Sequence, residues 1–295
     1  MSITAAPALR ARAEALGAGL PALLAAADHL AGAVMFGAHG RRQAGEGDAF
    51  WQFRPAHAGD PARAIDWRRS ARGDTPFVRE REWQVAQGVT IWVDPSASMQ
   101  FAGAKGAASK ADRARVLALA LAILLLRGGE RVGLMAPHLS PRAGRAQTEA
   151  LALGLLSAPP AQDYGTPPVT GFAPHGRAVL ISDFFGDPRA VADALAAASA
   201  AGVRGVMLQI LDPAEEDFPF DGRTIFESMS GSLSHETLRA GDLRARYHER
   251  LAQRRDQLGQ MAGAAGWLVH HHAGGGSLAP ALLWLHRALA EGLGC

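Results

Sequence analysis

Lysine is nearly absent from this sequence of 295 residues: 30 basic residues face 28 acidic ones for a formal net charge of +2, and only Lys105 and Lys110 are lysines. Positive charge is therefore carried by arginine, whose planar guanidinium suits bidentate pairing with carboxylates. So even a balance gives no support to a nucleic-acid partner. Cysteine is reduced to Cys295, which excludes an intrachain disulfide and a cysteine-based zinc centre and calls for no oxidising compartment. The longest uninterrupted apolar run, Val116 to Leu126, is shorter than the roughly 20 residues a membrane-spanning helix needs. The first thirty residues scatter Arg10, Arg12, Glu14 and Asp28 among alanines and leucines, unlike the basic and apolar blocks of a secretion signal. A cytoplasmic protein with no membrane segment is the expectation. A phosphate-cradling loop is missing too, since "GAKGAASK" (103–110) lacks the adjacent Gly-Lys-Ser/Thr.

What is present is a chain with 48% hydrophobic residues, enough for a sizeable core in one large domain or two modest ones. Residues 5–33 carry Ala and Leu at helical spacing, while 48–55 and 76–84 alternate apolar and polar side chains as half-buried strands do. From Val89 onward, apolar runs at 89–93, 131–136, 178–182, 204–211 and 267–271 alternate with helical stretches at 109–127, 146–157, 187–201, 234–265 and 277–292. Continuously apolar strands separated by amphipathic helices predict a doubly wound, mostly parallel α/β sheet covered on both faces. The expected division is a small N-terminal strand and helix subdomain over 1–86 and an α/β domain over 87–295. An acidic, turn-rich insertion at 212–230 is placed to add a hairpin.

In such a sheet, ligands bind beyond the carboxyl ends of the strands. Asp94 ends the first apolar strand in "IWVDPSASMQF" (91–101), and Asp183 ends "VLIS". With Ser96 and Ser98 they supply hard oxygens of the kind Mg²⁺ accepts, and both carboxylates are expected at exposed strand ends. The plainer alternative is that Asp and Ser merely satisfy loose backbone N–H groups in a turn.

"DPSASM" (94–99) resembles the Asp-x-Ser-x-Ser motif of the von Willebrand factor A-type domain. "GDPARAIDWRRSARGDTPFVREREW" (59–83) ahead of "VDPSASM", with "LDPAEEDFPFDG" and "RARYHERL" behind, is similar to the bacterial family called domain of unknown function 58 over roughly residues 30–290. The resemblance implies a von Willebrand A-like fold and a non-enzymatic role in assembling or activating other proteins with a MoxR-type AAA+ ATPase. It implies a Mg²⁺ or Mn²⁺ site in which Asp94, Ser96 and Ser98 form the first element, Thr166 (or, next, Thr170) the middle one and Asp183 the last. Only 16 residues separate Thr166 from Asp183, too few for the helix that usually lies between those elements.

Two enzymatic readings compete. Ser96 as a hydrolase nucleophile lacks flanking glycines and any histidine tied to it by a motif. A metal-assisted hydrolase using the strand-end oxygens would need a general base that no motif supplies near Asp94 or Asp183. His270, His271 and His272 cannot converge on a metal from one strand, because the middle ring faces the other way. Arg63, Asp66, Trp67, Arg68 and Arg72 form a dense signature, read as an internal ion-pair network in preference to a partner-binding patch.

Overall fold

The computed structural model describes residues 20–35, 50–57, 65–71, 75–81, 88–157, 162–229, 231 and 234–291. The chain forms two compact units, one of residues 1–37 with 87–295 and one of residues 38–86. In the smaller unit β1 (Phe50–Pro55) pairs antiparallel with β2 (Phe77–Arg81), and a helical turn α2 (Trp67–Ser70) lies between them in sequence. Asp66 starts that turn, its Oδ1 accepting from Arg68 N at 3.1 Å, while Ser70 Oγ accepts from Phe77 N at 2.9 Å. Trp67 is 63% exposed and Arg68 is exposed too, while Arg63 and Arg72 lie outside the described residues. Around α2 the local order includes this backbone capping by Asp66 and Ser70.

The larger unit is built on a six-stranded sheet in the order β10-β7-β6-β3-β4-β5. Its strands are β3 (Gly88–Val93), β4 (Arg131–Leu134), β5 (Leu139–Arg142), β6 (Arg177–Ser182), β7 (Arg204–Leu211) and β10 (Leu268–Ala273). All neighbours run parallel except β4 and β5, so the fold is the mostly parallel α/β sheet that the apolar runs predict. Side chains alternate across it: Val89, Ile91 and Val93 join Val179 and Ile181 in one core layer, while Trp92 joins Ala178 and Leu180 in the other.

Helices cover both faces. The first layer packs against α1 (20–35), α3 (Lys110–Arg127), α4 (Arg145–Ser157) and α8 (Ala279–Glu291), and the second against α5 (Pro188–Ala200) and α7 (Arg244–Ala264). Helix α1 belongs here because Leu23, Ala27 and Ala31, spaced one turn apart, bury themselves in the first layer. Every residue of α3 from Leu117 to Leu125 is buried, which explains why its apolar run has no polar stripe.

Two expectations of element type need correction. The stretch 234–265 is not one helix: β9 (Ser234–Thr237) pairs with β8 (Thr224–Glu227) as a hairpin, and α7 begins at Arg244. β5 escaped the sequence pattern because "LSPR" is short and holds a proline, which a sheet tolerates only at an edge. The β4–β5 register slips between Val132 and Leu134, and Gln147 Nε2 reaches from α4 to donate to Val132 O at 2.7 Å and Ser140 O at 3.2 Å. Gln147→Leu leaves both carbonyls without that donor, so the midpoint of urea unfolding should fall by the equivalent of about 1–3 kcal/mol with the m-value unchanged.

Candidate functional site

The chain leaves β3 for β4 on one side, and later strands continue from β6 on the other, so the sheet's switch point lies between β3 and β6. Asp94 and Asp183 follow those two strands directly, at the place where α/β sheets open a crevice. The structure thus brings Asp94, Ser96, Ser98 and Asp183 together. It does not leave the carboxylates exposed, as the sequence suggested: Asp94 is 1% and Asp183 0% accessible.

Each acid is met by donors. Asp94 Oδ1 accepts from Ser96 N at 2.8 Å and its Oδ2 from Ser182 Oγ at 2.6 Å. Asp183 Oδ1 accepts from Phe185 N at 3.1 Å and its Oδ2 from Ser98 Oγ at 2.6 Å, while the hydroxyls of Ser96 and Ser98 stand 3.1 Å apart. Burial raises the Asp94 pKa, opposed by the Ser182 and Ser96 hydrogen bonds and reinforced by the charge of Asp183. The loop 162–166 closes over the cluster, with Ala97 N donating to Gln162 O and Ser98 N to Asp163 O, each at 2.8 Å. Gly165 sits so tightly on Asp94 that a Cβ there would fall 2.1–2.2 Å from its carboxylate atoms, so only glycine fits. Thr166 and Thr170 are exposed, and Thr166 follows the glycine that caps Asp94.

A residue that sequence reasoning passed over completes the site. Lys110, the first residue of α3, is 1% accessible; its Nζ donates to Asp183 Oδ2 at 2.9 Å and to Glu215 Oε1 at 2.6 Å. Burial alone would lower its pKa, but Asp183 and Glu215 override this and hold it above the ordinary lysine value. Glu215 also caps α6 (Pro213–Asp217), its Oε2 accepting from Asp212 N at 2.8 Å. Burial raises the Glu215 pKa, and Lys110 opposes that shift. The available signal was the rarity of lysine together with a cation at a helix N-terminus, where the dipole disfavours it.

With Lys110 seated, the residues do not fit a Mg²⁺ or Mn²⁺ shell. Such an ion demands near-octahedral oxygens at about 2.0–2.1 Å, whereas Ser98 donates to Asp183 and an ammonium occupies the same carboxylate oxygen. Among the described residues no three His, Cys, Asp or Glu side chains are placed to share a metal.

The histidine run has separate duties. His270 stacks on Trp284 with ring centres 4.8 Å apart, His271 Nδ1 lies 2.7 Å from Gln209 Oε1, and His272 Nε2 lies 3.0 Å from Arg113 Nη2. Gln209 in turn donates to Asp183 O at 2.8 Å, which ties β7 and β10 to the site.

Above the cluster opens a cavity of about 480 Å³. Ser98 and Glu215 line its floor, and its walls include Phe101, Tyr164, Phe185, Phe218, Phe220, Phe226 and Tyr247. Phe218, Phe220 and Phe226 from the insertion pack with ring centres 5.3–5.7 Å apart, and Tyr247 of α7 stands 4.8 Å from Phe218. Phe184 and Phe218 hold positive φ of 52° and 46°, the strained backbone that recurs beside functional sites.

Fold and site together define an α/β protein with a buried carboxylate, hydroxyl and ammonium cluster at its switch point and an aromatic cavity over it. Residues 52–257 match the family described as protein of unknown function DUF58, and the chain belongs to that family. It is 27% identical over 217 residues to the uncharacterised protein Rv1480 of Mycobacterium tuberculosis, covering 69% of this chain and 67% of that protein. The uncharacterised protein Mb1516 of Mycobacterium bovis matches to the same extent, 27% over 217 residues. Among solved structures, an aerotolerance-related membrane protein of Bacteroides fragilis aligns with a TM-score of 0.42 at 15% identity, over 70% of this chain and 100% of that one. The conserved hypothetical protein BatB of Bacteroides thetaiotaomicron aligns at 0.43 and 16%, with the same coverage of 70% and 100%. Among the described residues no helix is long and apolar enough to cross a membrane.

Two outcomes follow from the site's electrostatics. Lys110→Met strands Asp183 at 0% accessibility without its cation and should cost about 3–5 kcal/mol in denaturant unfolding, with Lys110→Met/Asp183→Asn recovering part of the loss. Burial, then Arg113 and His270, depress the His272 pKa from 6.5 to about 4, so the folded state refuses a proton that the unfolded state takes up. The stability this group contributes is present above 6.5 and is lost as pH falls toward 4; between pH 7 and 4.5 the wild type should lose more stability than His272→Gln.

Proposed function

We propose that the chain is a non-enzymatic interaction module, von Willebrand A-like in its use of the strand-end crevice, and that a partner protein docks an apolar or aromatic anchor in the cavity above Ser98 and Glu215. The observation that carries this is the cavity itself: about 480 Å³, walled by aromatic rings and placed at the switch point, it has the size and lining of an anchor pocket. A hydrolytic site finds less support. Ser96 is 2% accessible with the Ser98 hydroxyl as its neighbour, and the histidines of β10 are engaged with Trp284, Gln209 and Arg113. A nucleophile needs a base within hydrogen-bond reach, and the cluster supplies carboxylates already committed to donors.

The family resemblance points to a MoxR-type AAA+ ATPase, or a client protein presented to it, as the partner, and to the cytoplasm as the place of action. The test is titration calorimetry of the purified chain with the MoxR-type ATPase of the same cell. Tyr164 and Met229, 38% and 48% exposed at the cavity, can be changed without touching the core. Tyr164→Ala and Met229→Asp should each weaken binding about tenfold or more while the melting temperature holds. Full-strength binding by both variants would move the interface elsewhere, and turnover of generic ester or phosphoester substrates by the wild type would favour the hydrolase.

A further inference from the structure

Lys110 is built into the crevice against the local preference of its own element. It is the first residue of α3, where the helix dipole presents its positive end and where Ser109 and Asp112 already form a capping box. Its ammonium is nevertheless held between two carboxylates, at 2.9 Å from Asp183 and 2.6 Å from Glu215, with the rings of Phe185 and Phe101 centred 5.4 and 5.9 Å away. The Asp183 oxygen that receives it also receives the Ser98 hydroxyl at 2.6 Å, so one cation and one hydroxyl converge where a metal ligand set would. A divalent ion bonded to that oxygen at about 2.1 Å could stand no farther than about 5 Å from Nζ, close enough for the two like charges to repel strongly. The second carboxylate is closed off as well, since the backbone at Gly165 lies directly on Asp94.

We infer that Lys110 is the resident cation of this crevice, taking the position at Asp183 that a divalent metal would otherwise hold, so that Asp183 keeps a counter-charge and the site its shape without metal. Latent metal chemistry then remains in the oxygens and is suppressed by one side chain. This goes beyond the docking reading and does not depend on it, because no partner enters the measurement.

The experiment is a titration of the 295-residue chain with Mn²⁺, followed by the electron paramagnetic resonance of the free ion and by calorimetry. The wild type should show no saturable site up to millimolar Mn²⁺, and millimolar Mg²⁺ or a chelator should leave its melting temperature unchanged. Lys110→Ala should gain one site at least tenfold tighter than anything in the wild type, and Lys110→Ala/Asp183→Asn should lose it again, since the gained site uses that carboxylate. A saturable Mn²⁺ site in the wild type that disappears in Asp183→Asn overturns the inference. So does a folded Lys110→Ala protein that gains no binding. Should Lys110→Ala fail to fold, the wild-type titration and its Asp183→Asn control decide the matter alone.

Discussion

Two carboxylates buried side by side at the ends of adjacent strands set the terms for everything around them. Taking Asp94 and Asp183 out of water costs several kcal/mol each unless donors replace the lost hydration. The surrounding sequence answers that demand residue by residue. Ser182 and the backbone of Ser96 serve Asp94, while Ser98, Phe185 N and Lys110 serve Asp183. Gln209 fixes the Asp183 carbonyl from the next strand, and His271 and Arg255 approach the other end of the same Gln209 amide. A polar layer thus runs from β3 across β6 and β7 to β10, at one end of a sheet whose central strands are mostly apolar.

That division explains what could be read from the sequence. The strands at 89–93, 178–182 and 204–211 fall within a residue of β3, β6 and β7, because a parallel strand buried on both faces is a bare apolar run. The elements that were missed or misassigned, β5 and β9, are short, polar and at edges, where pairing and not composition decides the conformation. In the site, Asp94, Ser96, Ser98 and Asp183 were legible because short polar residues abruptly follow apolar strands. Lys110 and Glu215 were not. A lysine opening a helix and a glutamate in a capping box each have an ordinary surface explanation, and only the fold reveals that the two meet over a span of 105 residues.

The insertion after β7 gains its purpose from the same meeting. Its residues build the aromatic wall of the cavity, and Arg244 of α7 secures it by donating to Phe218 O at 3.0 Å. Tyr247 adds a second anchor, its hydroxyl donating to Glu215 O at 2.5 Å. Phe218 takes a left-handed conformation that a non-glycine residue adopts only when its surroundings demand it, and here its ring is gripped by Phe220, Phe226 and Tyr247.

Glu215 makes the wall and the charge cluster one mechanical object. One of its carboxylate oxygens ends the α6 cap at Asp212 N, and the other holds the Lys110 ammonium. A change in the charge or position of Lys110 must therefore reach the start of α6, and through Pro213 to Asp217 the aromatic wall that follows. The converse holds as well: a displacement of Tyr247 would pull on the Glu215 backbone, to which it is bonded, and so on the ion pair beneath. Displacements on either side of a shared rigid element are felt on the other, and here that element is the five-residue helix α6, whose cap is where the aromatic wall and the charged strand ends meet.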